Sequence, residues 1–131
     1  MSNDQDRLRR PPEERFAGSE HLFDLATVAQ GLRAEAGPVT DGHRQIALFH
    51  DRGLTLIVYD LEAGGFLADH AADGVVTIQV VSGEIEVSSP EGSHRLVSGT
   101  LLVLSPGVRH DVKALVASQM LLAVYTADPE G

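Results

Sequence analysis

Six histidines and no cysteine set the chemistry open to this chain of 131 residues. Imidazole is the commonest metal ligand and exchanges its proton near neutral pH, so two rings converging in a pocket could hold an ion or act as acid and base. Without thiols, disulfides and a cysteine nucleophile are excluded, and carboxylates are the only other strong metal ligands. His70 and His110 carry the most weight. His70 ends a strand that opens after Gly64-Gly65, and His110 follows the turn Ser105-Pro106-Gly107, so both should border a barrel interior. Either one alone reads equally well as a hydrogen-bonded strand histidine. His50 alternates with Ile46 and Leu48 in QIALFH, which would direct it inward as a third nitrogen, against the plainer reading of an exposed strand end. Of Arg44, Arg52, Arg95 and Arg109, the last is best placed to hold a carboxylate because it neighbours His110. Asp69, Asp73 and Asp111 read as solvated charges. Ser98, Ser105 and Ser118 lack the strand-to-helix elbow of a nucleophilic serine, and no G-x4-G-K-[ST] loop cradles phosphate.

Strands must place these groups. Beyond Gly42 the apolar period drops to two, β-branched residues accumulate and turn residues recur about every ten positions, which predicts strands near 44–50, 54–62, 66–70, 75–81, 84–89, 93–97, 100–104, 110–117 and 119–126. Ser82-Gly83 and Pro90-Glu91-Gly92 read as hairpin turns. In EIEV, Ile85 and Val87 alternate with Glu84 and Glu86, giving one wet face, whereas LLVL (101–104) and MLLAVY (120–125) are apolar on both faces, as strands between the core and a covering helix or partner would be. Thr77 and Gln79 fall on the outer face of their sheet, where Gln79 could pair across a dimer interface. Before the strands, Leu22, Leu25, Ala26, Ala29, Leu32 and Ala36 recur at spacings of three and four, predicting an amphipathic helix over about 19–36, capped by Ser19 and stopped at Gly37-Pro38. Residues 1–15 are polar, carry Pro11-Pro12 and show no period, so they read as a flexible tail ahead of a single domain over 16–131. The spacing suits a double-sheet jelly roll or a small barrel, with an immunoglobulin-like sandwich as the competitor.

Ten Lys plus Arg against nineteen Asp plus Glu give a net charge of −9. A surface of that sign repels phosphates, which argues against nucleic acid or an anionic membrane as partner. No apolar run approaches a membrane span and the N-terminus has no signal-peptide pattern, so a cytoplasmic location is expected.

Two glycine-and-histidine patterns then take on meaning together. The sequence resembles the cupin superfamily, whose first motif, G-x5-H-x-H-x3-E-x6-G, is matched by Gly64, His70 and Gly83, and whose second, G-x5-P-x-G-x2-H-x3-N, is matched by Gly99, Gly107 and His110. Fifteen residues separate the motifs, and the resemblance covers about residues 44–126. It implies an all-β fold, a double-stranded β-helix (jelly-roll) barrel of about 44–126 with the helix at its N-terminal side, and dimers formed through the sheets. It departs from the family at chemically decisive positions. Ala72 stands for the second histidine, Val76 for the glutamate, Ser105 for the proline and Ala114 for the asparagine. Cupins that hold a divalent metal generally use three histidines and a glutamate, and two neutral nitrogens leave a dication poorly neutralised.

The expectation is therefore a small-molecule-binding cupin domain with no tightly bound metal, a homodimer whose pocket lies near His70, His110, Arg109 and His50. The alternative is a metal-dependent enzyme, a dioxygenase, isomerase or lyase, using His70 and His110 with waters or His50 to hold iron, manganese, nickel or zinc. The residues leave open whether binding is an end in itself or leads to proton transfer, and they name no ligand.

Overall fold

The computed structural model describes residues 19–35, 37 and 39–127, with backbone alone at Asp69 and His70. The tail expected over 1–15 lies outside the described residues. Nine strands follow one helix: α1 (Leu25–Arg33), β1 (His43–Asp51), β2 (Leu54–Leu61), β3 (Phe66–His70), β4 (Val75–Ser82), β5 (Glu84–Ser89), β6 (Gly92–Val97), β7 (Leu101–Leu104), β8 (His110–Ala114) and β9 (Ser118–Tyr125). They form two antiparallel sheets, β1-β2-β9-β4-β7 and β3-β8-β5-β6. The pairing is nested: β5 with β6, β4 with β7, β3 with β8 and β2 with β9. That is one long hairpin with its tip at the β5–β6 turn, rolled up so that its two ends alternate between sheets, which is the jelly roll. An immunoglobulin-like order is excluded by the same nesting.

Alternation decides what each strand contributes to the interior. Val76, Ile78 and Val80 of β4 are buried, as are Ile85 and Val87 of β5, Leu67 of β3, Leu96 of β6, Val112 and Ala114 of β8, and Met120 and Leu122 of β9. These side chains from both sheets make one core. A second cluster lies on the outside of the first sheet, where Val28, Ala29 and Leu32 of α1 pack on Leu48 of β1 and Val58 of β2. MLLAVY is thus apolar on both faces for two reasons: Met120 and Leu122 enter the core, and Leu121 packs against the cluster under the helix.

The helix is shorter than its apolar period predicts. Asp24, not Ser19, is the N-cap, its side chain accepting from the Thr27 amide at 3.2 Å. Leu22, expected on the buried stripe, precedes the first turn and is 89% exposed, and Ala36 lies outside the described residues. An acceptor three residues before a free amide outweighs the longer hydrophobic rhythm.

A charged clamp holds this helix to the sheet. Asp60, only 5% exposed in the otherwise apolar β2, accepts from Arg33 Nη2 at 2.8 Å and Nε at 3.1 Å, and from Gln119 Nε2 at 3.3 Å. Removing the arginine strands a buried carboxylate with a single amide donor. Arg33 is itself half exposed, so Arg33→Ala should cost about 1–2 kcal/mol, below the roughly 3–5 kcal/mol of a fully buried pair. Urea unfolding checks this, and an unchanged midpoint would show that the clamp contributes nothing to docking the helix. No helix among the described residues is long and apolar enough to cross a membrane.

Candidate functional site

The rim of the second sheet gathers the chemistry. On β8 the buried residues alternate as His110, Val112 and Ala114, so position 110 lies on the core face, and His110 is 5% exposed. A carbonyl oxygen can only accept, so the 3.2 Å contact of His110 Nδ1 with the Val108 carbonyl fixes the proton on Nδ1 and makes Nε2 the acceptor of the neutral ring. Next to β8, β3 carries a bulge. Leu67 pairs with Val112 and His70 with His110, so Ala68 and Asp69 together oppose Asp111. Without that extra residue position 70 would fall opposite 109; with it, the two histidine positions are a direct cross-strand pair. Directly opposed residues have Cβ atoms roughly 4.5–5.5 Å apart in antiparallel sheets.

The two motif segments are also tied by backbone. The Gly107 amide donates to the Ala72 carbonyl at 2.8 Å, joining the loop after β3 to the turn before β8. Side chains of Ala72 and Val108 pack against the core beside Val76 and Leu104. Outside this apolar floor, a cavity of about 270 Å³ is lined by Ser88, Ser89, Pro90, Arg109, His110 and Asp111. Its size lies near the low end of small-molecule sites, roughly 300–1,000 Å³. Ser88 reaches it because β5 pairs with β8, placing Ser88 opposite Asp111. Deeper in the core, burial pushes the Tyr59 phenol above its ordinary value and keeps it neutral.

Not every candidate gathers here. His110 and Arg109 line the cavity and position 70 is the register partner of 110. His50 stands apart, exposed at the far edge of the other sheet, its Nδ1 2.7 Å from Thr55 Oγ1. Its alternation with Ile46 and Leu48 misleads twice, because those two residues face the helix rather than the interior and a bulge between Ala47 and Phe49 breaks the parity before His50. The remaining arginines are engaged elsewhere: Arg44 with the Gly37 carbonyl at 2.7 Å, Arg95 with Glu84 at 3.0 Å, and Arg52 beside Asp51 at 3.9 Å. Sequence reading misses Ser88 and Ser89, which read only as the end of a hairpin strand. The nested strand pairing is the signal that could place them beside the second motif.

A divalent ion of the kind the motifs imply does not fit the residues present. Positions 72 and 76 offer an alanine and a valine packed into the core, and among the described residues no group of three or more His, Asp or Glu is placed to hold one. What the rim offers instead is a guanidinium, an imidazole and two hydroxyls, a set suited to hydrogen-bonding an organic molecule.

No protein-family model and no curated protein matches the sequence. Solved structures do match in shape. A conserved protein of unknown function from Streptococcus pyogenes superposes with a TM-score of 0.67 at 23% identity, covering 85% of this chain and 91% of that one. An RmlC-like cupin from Shewanella frigidimarina gives 0.65 at 20% identity, covering 86% and 96%. A cupin superfamily protein from Desulfitobacterium hafniense gives 0.63 at 14% identity, covering 71% and 84%. With its nested strand pairs, its two sheets around one core and these superpositions, the chain has the cupin fold.

Proposed function

We propose that this chain is a small-molecule-binding cupin domain that works without a resident metal ion and acts as a homodimer. The observation that carries the binding reading is the cavity at the jelly-roll rim, where the buried His110 and the side chains of Arg109, Ser88 and Ser89 converge over an apolar floor. The ligand is small, and is anionic or uncharged at the end that meets Arg109. His110 contributes Nε2 as acceptor for a ligand hydroxyl or amide, and the same atom is the group that would take a proton if binding leads on to chemistry. Position 70, directly across from 110, belongs to the same site.

The test is a thermal-shift screen of mono- and dicarboxylates and their neutral amides, followed by calorimetry on any compound that stabilises the protein. Truncating a hydrogen-bonded charged contact costs about 1.5–3 kcal/mol, so Arg109→Ala and His110→Ala should each weaken binding by roughly 10- to 150-fold. Compounds that bind both variants as tightly as wild type would place the site elsewhere.

The reading of a metal-dependent enzyme has one observation in its favour, the direct pairing of positions 70 and 110. Ligands for the remaining coordination positions are what it lacks.

A further inference from the structure

The outward face of β4, β7 and β9 carries no Asp, Glu, Lys or Arg. Helix α1 covers the neighbouring strands β1 and β2, so this half of the sheet is bare, with Leu101 and Val103 of β7 at 60% and 56% exposure, and Thr77, Gln79, Ala123 and Tyr125 beside them. The other sheet presents the opposite character, with Glu84, Glu86, Arg95, Asp111 and Lys113 on its outward positions. Depletion of charge is the compositional mark of the centre of a protein interface.

The edges differ in the same sense. A sheet edge is normally blunted by a charge, a proline or a bulge. Strand β1 has a bulge and Arg44, β3 has a bulge, and β6 has Arg95. Strand β7, the sequence LLVL, has none of these and runs in unbroken register with β4.

We propose that this face, centred on the β7 edge, is a two-fold interface with a second copy of the same chain. The proposal rests on the homodimer reading above and names the surface that serves it. The charge distribution selects the occupant. Each copy carries −9, so two copies meeting elsewhere bring like charges together, whereas this face meets itself with no such penalty. A basic partner would instead be drawn to the acidic surfaces. A two-fold axis at β7 pairs an antiparallel strand with its own copy, so each unpaired amide and carbonyl finds a complement.

Sedimentation and light scattering of the full chain at micromolar concentration test this. The wild type should run at twice its 14.0 kDa mass. Leu101→Glu and Val103→Glu should each raise the dissociation constant by about 100-fold or more while far-UV circular dichroism stays native, because both positions are exposed in the single chain. Lys113→Glu, on the other sheet, should leave the dimer intact. A monomeric wild type overturns both this interface and the homodimer reading. A dimer that survives both glutamate variants overturns the interface alone. A monomer whose β7 amides resist hydrogen exchange assigns the face to another segment of this chain, and likewise overturns the proposal.

Discussion

Supplying the two ligands that the first motif lacks should turn this chain into a metal-binding protein. In the double variant Ala72→His, Val76→Glu, the motif positions would carry three imidazoles and a carboxylate together with His70 and His110, the donor set that suits iron, manganese, nickel or zinc. The expected result has two arms. Val76 is buried in the core, so a glutamate there without a metal is an unpaired buried charge, and the apo variant should lose about 2–4 kcal/mol. Adding manganese or zinc at about 1,000 times the dissociation constant should restore about 4 kcal/mol. The wild type, with alanine and valine at those positions, should show no metal-dependent shift of its melting temperature. Calorimetry and metal-dependent thermal unfolding read both arms. A double variant that folds and stays indifferent to metal would show that the missing ligands are not what separates this chain from metal-holding cupins.

Gly83→Ala should be the most damaging single substitution among the four motif glycines. Gly83 has φ of +91°, and a Cβ there would press on Ser118 Oγ and lie within 2.6 Å of the Ala117 carbonyl oxygen and 2.7 Å of Ser118 Cα. Ser118 has nowhere to retreat. It is fully buried, accepts from the Glu84 amide at 3.0 Å and lies 2.7 Å from the Val116 carbonyl. Left-handed strain of about 1–2 kcal/mol and overpacking of about 1–3 kcal/mol then add to a loss of about 3–5 kcal/mol. Gly64 is the control, with φ of +82° and nothing within 4 Å of the position a Cβ would occupy. Gly64→Ala should cost only the strain, about 1–2 kcal/mol. Urea denaturation of the two variants side by side decides the matter, and equal losses would show that the close approach at Gly83 has no energetic weight.

The contrast between those glycines also marks what can be read in the sequence. All nine strands are legible, because β-branched alternation and recurrent turn residues report directly on a pleated, half-buried backbone. Their nesting is legible only through the resemblance, since no local pattern says that β5 lies beside β8. Bulges are invisible. A single extra residue at Ala68-Asp69 brings position 70 opposite 110, and another near Ala47 removes His50 from the face its alternation implies. One inserted residue reverses the parity of everything after it, and composition carries no mark of where that happens. The helix start is misread for a related reason: a longer apolar rhythm is visible, but the cap at Asp24 overrides it. Asp60 gives no signal either, because a lone acid in an apolar strand reads as an edge charge until Arg33 is seen lying over it.

Anomalous diffraction from crystals of the chain purified without chelator, recorded at the iron, manganese, nickel and zinc edges, addresses the central claim most directly. The account predicts no anomalous peak at coordination distance from His110 Nε2, roughly 2.0–2.1 Å, and organic density in the cavity against Arg109 and Ser88 when a stabilising compound is present. A fully occupied metal between positions 70 and 110 would contradict it.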